Sequence, residues 1–208
     1  MTQKIRIAIL GSTRGTDMEG VATAILKGKL NAHIEIVISD KKDAYILERA
    51  KNHKIPAIYI NPKDFKDRED FDKKVIEKLD EKKIDLILLL GYMRILSPYF
   101  VSRFKYRIMN IHPSLLPAFA GGMDLNVHKL VIEQGRKVTG CTLHFIDEGT
   151  DTGPIVLQES VKVEGNDTPQ SLKEKVQEAE QRVIIKAIYL FQNGQLKVKG
   201  KTVEIIGK

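Results

Sequence analysis

One cysteine in 208 residues, Cys141, excludes an internal disulfide and fits a chain that works in a reducing compartment. It stands in the apolar run Cys141-Thr142-Leu143-His144-Phe145, the setting of a small buried filler rather than of a nucleophile. Long hydrophobic runs are missing as well. The longest, Leu86 to Leu90, falls far short of the roughly 18 apolar residues of a membrane helix and reads as a strand. Met1 to Leu10 carries charge and no apolar segment long enough for a signal peptide, so a cytoplasmic protein without a membrane partner is expected. Aromatics make up only 6%, and no basic stripe is interleaved with them. The formal charge of +7 therefore predicts no nucleic-acid partner. Its lysines and arginines are scattered among acids, as in Lys63 to Lys74, and a mildly positive surface suits small polyanions. The five histidines are dispersed with no pair at ligand spacing, so no metal is expected.

What is present is a full complement of apolar residues, 42%, enough for one α/β domain of this length. Lys4 to Leu10 reads as a buried strand, Gly11 to Asp17 as a small-residue turn, and Met18 to Gly28 as a helix with Thr16 or Asp17 as N-cap. Strand, glycine-bearing turn and helix start together suit a phosphate, although the two glycines alone match no dinucleotide or Walker pattern. His33 to Ser39, Ala57 to Ile60 and Ile84 to Leu90 read as further strands. Ala44 to His53 and a charged stretch opened by Pro62 and Asp64 and running to about Lys82 read as helices. This alternation predicts a Rossmann-like, mostly parallel twisted sheet with helices on both faces. Ligands in such sheets sit outside the carboxyl ends of the strands, which puts Gly11–Asp17, Gly91–Leu96 and Asn110–Pro117 on one rim. Beyond them come a short helix from Ser97-Pro98 to Phe104 and a flexible glycine-bearing loop, Pro117 to Asp124. A helix from Asn126 to Gln134, β runs at Gly140–Ile146 and Ile155–Val163, a helix from Thr168 to Phe191 and a terminal hairpin follow.

The stretch Asn110-Ile111-His112-Pro113-Ser114-Leu115-Leu116-Pro117 is the most informative. In extended backbone Asn110 and His112 face the same side, with Ile111 turned to the core, and Pro113 ends the run. A neutral donor and a titratable donor aimed at one point are what an oxyanion forming at a carbonyl needs. A third group, Asp151, lies on the joint Asp147-Glu148-Gly149-Thr150-Asp151-Thr152-Gly153-Pro154 between two β runs. Alone, an Asp-x-Gly string is ordinary turn chemistry.

Together with Gly91-Tyr92-Met93-Arg94-Ile95-Leu96-Ser97-Pro98, Thr142-Leu143-His144-Phe145 and Asp151-Thr152-Gly153-Pro154-Ile155, the Asn110–Pro117 stretch makes the chain resemble the glycinamide ribonucleotide formyltransferase family over nearly its whole length. The resemblance implies a single formyltransferase domain, with residues 1–100 as a phosphate-binding half and residues 101–208 as a catalytic and folate-binding half. It implies transfer of a formyl group from the co-substrate 10-formyltetrahydrofolate to the amine of glycinamide ribonucleotide, without a metal, by a monomer or homodimer acting on small molecules. Asn110, His112 and Asp151 become the catalytic groups: Asn110 and a protonated His112 donate to the developing oxyanion, and Asp151 keeps the imidazole charged and assists proton transfer. Arg68, Met93, Arg94, Ile95, Leu96, Ile146, Asp147 and Asp151 become the folate contacts. Gly15, Thr16 and Asp17 become the phosphate turn, with Glu180 at the sugar and glycinamide end. Without the resemblance, Glu180 and Arg68 read as exposed helix charges.

Two departures bear on the acceptor. Where the family commonly has Gly-Ser-Asn this chain has Gly15-Thr16-Asp17, and the loop after Pro117 is longer, with His128 in place of a histidine pair. A carboxylate beside a phosphate is unfavourable unless it points away, and Arg14 offers compensating charge. The related methionyl-tRNA formyltransferase and formyltetrahydrofolate hydrolase share the core, but one adds a C-terminal β-domain and the other an N-terminal one. A nucleotide-binding module without chemistry would use the Gly11–Asp17 turn and would not need Asn110, His112 and Asp151 together.

Overall fold

A computed structural model describes residues 4–122 and 124–207 of the chain. Backbone packing divides it after Asn110 into two compact units.

In the first unit, β1 (Ile5–Leu10), β2 (Ala32–Ser39), β3 (Ala57–Tyr59), β4 (Leu86–Leu89) and the first part of β5 (Ile108–His112) lie in the order β3-β2-β1-β4-β5. Every pairing among them is parallel. β4 is Leu86-Ile87-Leu88-Leu89, buried at all four positions. An unbroken apolar run is what a strand covered on both faces requires, and so it shows no period of two. The crossovers are α1 (Thr16–Leu26), α2 (Tyr45–Asn52), α3 (Arg68–Glu81) and the short α4 (Pro98–Arg103). α3 buries Phe71, Val75, Ile76 and Leu79, one stripe at helical spacing, and adds a buried Asp72. The α/β class and the mostly parallel pairing match the sequence expectation.

Two helix starts differ from it. α1 begins at Thr16, and its N-cap is Gly15 in left-handed backbone (φ 73°), not Thr16 or Asp17. A Cβ on Gly15 would lie 2.5 Å from Cγ1 of Ile46, so packing demands glycine there, and the side chains of the first turn fall inside the helix. Asp17 and Glu19 then sit in the first turn, where their charge complements the helix dipole. The charged stretch after Asn61 is not one helix either. Pro62–Asp64 is a single 3-10 turn capped by Asn61, Phe65 returns to extended backbone, and α3 starts afresh under an Asp67 cap on Asp70 N at 2.9 Å. Phe65 packs edge-on against Phe71 with ring centroids 5.5 Å apart, which fixes the break.

The second unit carries the end of β5, α5 (Asp124–Glu133), β6 (Val138–Phe145), β7 (Ile155–Lys162), α6 (Pro169–Gln192) and the terminal hairpin of β8 (Leu196–Lys199) and β9 (Thr202–Ile205). β6 and β7 are antiparallel, β9 runs parallel to β7 at Ile155–Thr202, and β8 pairs antiparallel with β9. α6 starts at a reciprocal Thr168–Ser171 capping box followed by Pro169. It packs against β6, β7 and α5. α5 begins at Asp124, two residues before the expected Asn126; Met123, in the expected flexible loop, lies outside the described residues.

Candidate active site

Three parallel strands of the first unit end in register: Leu10 pairs with Leu89, and Leu89 with Asn110. The turns that follow β1 and β4 therefore leave from the edge at which Asn110 stands, the carboxyl edge where such sheets bind ligands. β5 carries Asn110 half-buried, then Ile111 and His112 buried, His112 at 3% exposure.

After β5 the chain turns sharply and is strapped down. Thr142 Oγ1, fully buried on β6, donates to the Ser114 carbonyl at 2.7 Å and accepts from Leu116 N at 3.0 Å and Gln158 Nε2 at 2.8 Å. One hydroxyl thus uses its single donor and both acceptor positions. Gln158 also donates to the Leu116 carbonyl at 3.1 Å, and Ser114 Oγ to the Ala118 carbonyl. The Ser-Leu-Leu-Pro segment is held from β6 and β7, which fixes where His112 can point.

The His112 ring faces two acceptors, with Nδ1 3.2 Å from Asp151 Oδ2 and Nε2 3.0 Å from the Phe119 carbonyl. Neither neutral tautomer can donate to both, so the geometry asks for imidazolium while burial opposes it. Burial dominates and pushes the His112 pKa below its usual value, against the charge of Asp151 and the Phe119 carbonyl. Asp151 and the Phe119 carbonyl favour the charged ring, and burial presses it toward neutrality.

Asp151 sits in left-handed backbone, φ 55°, and collects donors. Gly121 N donates to Oδ2 at 2.8 Å, and His144 Nε2 lies 3.4 Å from Oδ1. Desolvation alone would raise its pKa, but His144, the Gly121 amide and His112 outweigh it and hold the carboxyl below the ordinary range. It is ionised at neutral pH. The loop before it is braced by Asp147, which accepts from Gly149 N, Thr152 Oγ1 and Lys201 Nζ. Behind it Phe145 N donates to the Pro154 carbonyl, and a Cβ on Gly153 would lie 1.8 Å from the Phe145 carbonyl oxygen. Only glycine lets the loop return this close to β6.

The other sequence-derived residues divide by unit. In the first, Gly15, Thr16 and Asp17 form the start of α1; Ser12 N donates to the Gly91 carbonyl at 3.0 Å, which ties that turn to the 91–97 segment. Met93 and Ile95 are exposed at 40% and 63%, and Leu96 is buried. Arg94 lies with its guanidinium 4.5 Å over the Phe71 ring, and Arg68 is exposed at the start of α3. In the second, Ile146 and Asp147 are half-buried in the joint ahead of Asp151, and Glu180 is 6% exposed. The reading of Glu180 as an exposed helix charge is thereby corrected: a carboxylate on the buried face of α6 breaks an otherwise apolar stripe.

The structure brings His112 and Asp151 together and adds His144, which sequence reasoning left without a role. The signal was in plain view, since His144 belongs to Thr142-Leu143-His144-Phe145, but its partner is seven residues away across the β6–β7 joint. The Pro117–Gly122 stretch, expected to be flexible, is tied by the Phe119 carbonyl and the Gly121 amide. Among the described residues no group of three or more His, Cys, Asp or Glu could hold a metal ion, and no helix is long and apolar enough to cross a membrane.

Comparison with known proteins gives this geometry its context. The chain is 38% identical over 203 residues to a phosphoribosylglycinamide formyltransferase of Haemophilus influenzae, covering 98% of this chain and 94% of that one. It is 42% identical to the trifunctional purine biosynthetic protein adenosine-3 of Gallus gallus, of which it spans 19%, about a fifth of that relative's length. The fold superimposes on a glycinamide ribonucleotide transformylase of Symbiobacterium toebii with a TM-score of 0.93 at 39% identity, covering 98% of this chain and 95% of that one. Residues 5–188 match the formyl transferase family, and the chain belongs to that family.

Proposed function

We propose that this protein transfers the formyl group of 10-formyltetrahydrofolate to the amine of glycinamide ribonucleotide, in purine biosynthesis. The observation that carries the reading is the ionised Asp151 held against the buried ring of His112, two residues after Asn110 on β5. End-to-end likeness to a phosphoribosylglycinamide formyltransferase supports the choice of acceptor.

The acceptor amine attacks the formyl carbon and a tetrahedral intermediate forms, its former carbonyl oxygen now negative. Asn110 donates a neutral hydrogen bond to that oxygen, and His112 a second. The proton on the attacking nitrogen passes through water and Asp151 to N10, while the oxyanion collapses back to a carbonyl and the C–N10 bond breaks. The products are tetrahydrofolate and the formylated glycinamide. Burial lowers the His112 pKa while Asp151 and the Phe119 carbonyl pull against it, so the ring keeps an N–H to donate to the oxyanion in either protonation state. His144 holds the second oxygen of Asp151 and so fixes which oxygen faces His112.

We assign the folate to Met93–Leu96, Arg68 and the Ile146–Asp151 loop, where apolar side chains and backbone groups suit a flat ring. The ribonucleotide phosphate is assigned to Gly15–Asp17, where the positive end of the α1 dipole and Arg14 offset the charge of Asp17. Glu180 is assigned to the sugar and glycinamide end. The test is to incubate the purified protein with 10-formyltetrahydrofolate, with and without glycinamide ribonucleotide, and follow loss of the formyl group spectroscopically. Loss that depends on the ribonucleotide is expected. Loss without an acceptor would make the protein a hydrolase, and no loss with folate bound would move the acceptor to another amine.

A further inference from the structure

Two buried carboxylates outside the catalytic constellation hold the backbone of the Met93–Leu96 segment. Asp40, at the end of β2 and 5% exposed, accepts from Ser12 Oγ at 2.5 Å, and the same Oγ accepts from Met93 N at 2.9 Å. Asp72, on α3 and 2% exposed, accepts from Ser97 N at 2.6 Å. Between these posts Arg94 lies over Phe71, the neighbour of Asp72, with its Nε buried and no hydrogen-bond partner among the described residues. The segment is thus fastened at both ends and in the middle from behind.

Burying a carboxylate is costly unless it is well paired, and here the hydrogen-bond partners among the described residues are an amide and a hydroxyl rather than cations. Burial raises the Asp72 pKa despite the Ser97 amide and hydroxyl and the charges of Arg94 and Arg68. Burial, and then the charges of Asp40 and Asp72, push the Tyr92 hydroxyl up as well, so both carboxylates act on this one segment. The consequence of the arrangement is that Ile95 stays 63% exposed and Met93 40% exposed while the backbone beneath them cannot collapse inward.

We infer that Asp40 and Asp72 are positioning residues for the formyl donor, holding Met93 to Leu96 as a rigid, solvent-facing apolar wall against the folate ring. This rests on the assignment of folate to that segment made above. Neither residue touches substrate; each acts through a backbone amide, Asp40 by way of Ser12. Both stand where a neutral acceptor of the same shape would serve the geometry in part.

The test uses the full chain with Asp40→Ala, Asp72→Ala and the matching Asn variants, and 5-formyltetrahydrofolate, whose formyl group sits on N5 rather than N10, as calorimetric probe. Each Ala variant is expected to bind the folate about tenfold more weakly, the scale of one charge-assisted hydrogen bond, and each Asn variant to recover most of the loss. The donor KM follows the same order, and the ribonucleotide KM stays put. A residue with only a structural role would lower the active fraction and leave the folate affinity of folded protein unchanged, and that result overturns the inference. Equal weakening toward both substrates overturns it too. If the Ala variants do not fold, hydrogen exchange on the unaltered protein decides: protected Met93 and Ser97 amides support the clamp, and exchange at the rate of an unstructured peptide refutes it. Unaltered protein that binds folate without ribonucleotide-dependent transfer refutes the proposed acceptor alone; no folate binding at all refutes both.

Discussion

Replacing Asp151 by Asn is the sharpest perturbation, because the substitution keeps shape and removes charge. An Asn Oδ1 can still accept from Gly121 N, so the loop need not rearrange. What is lost is the negative charge 3.2 Å from His112 Nδ1 and the second acceptor toward His144. At an effective dielectric of about 20, opposite charges at that separation attract by roughly 5 kcal/mol, part of which desolvation takes back. The charge of Asp151 opposes the burial that depresses His112, so its removal moves the imidazole further toward neutrality. The variant therefore lacks both the proton acceptor and the pull that keeps His112 able to donate strongly. The expected loss in kcat is about 10²- to 10⁴-fold, the contribution of a positioned general base, with KM for either substrate changed little. Initial rates of ribonucleotide-dependent formyl loss measure it, with circular dichroism and thermal unfolding as controls. A variant that stays folded and turns over within about threefold of the parent refutes the role of Asp151, since no general base is worth so little.

Asn110→Ala is expected to lower kcat by about 10²- to 10³-fold, the scale of one oxyanion donor, with folate affinity retained; calorimetry beside kinetics separates the two. The His112 pKa is lowered in the folded protein, so the unfolded chain takes up the proton first as pH drops. Stability that His112 contributes is then present above the unfolded pKa of about 6.5 and lost as pH falls below it, and His112→Asn should flatten the fall in melting temperature as the pH drops below about 6.5. A decline of equal steepness in the variant would assign it elsewhere. Gly153→Ala places a Cβ 1.8 Å from the Phe145 carbonyl oxygen, so the backbone must shift. A stability loss of about 1–3 kcal/mol is expected by denaturant titration, together with reduced kcat because Asp151 lies two residues away.

The sequence determined the class of the fold and, through the resemblance, the formyl transferase family. Apolar runs such as Leu86–Leu89, separated by helical stretches with starts at Ser97 and Thr168, set parallel strands and crossovers, because burial and backbone hydrogen bonding leave such patterns few other solutions. Asn110 and His112 share a side because strands have a period of two. That Asp151 meets His112 was not legible locally, since it stands 39 positions further along the chain and no local pattern links them. Tertiary structure decided the rest. It made Gly15 the cap of α1 through the position of Ile46, split the charged helix through the Phe65–Phe71 contact, and put Glu180 inside α6's buried face. It supplied His144 to Asp151, and Asp40 and Asp72 to the Met93–Leu96 backbone, pairs brought together by packing between elements distant in sequence. It also set the charge balance of His112: an imidazole's protonation depends on how much water is excluded and which acceptors surround it, and a sequence lists neither.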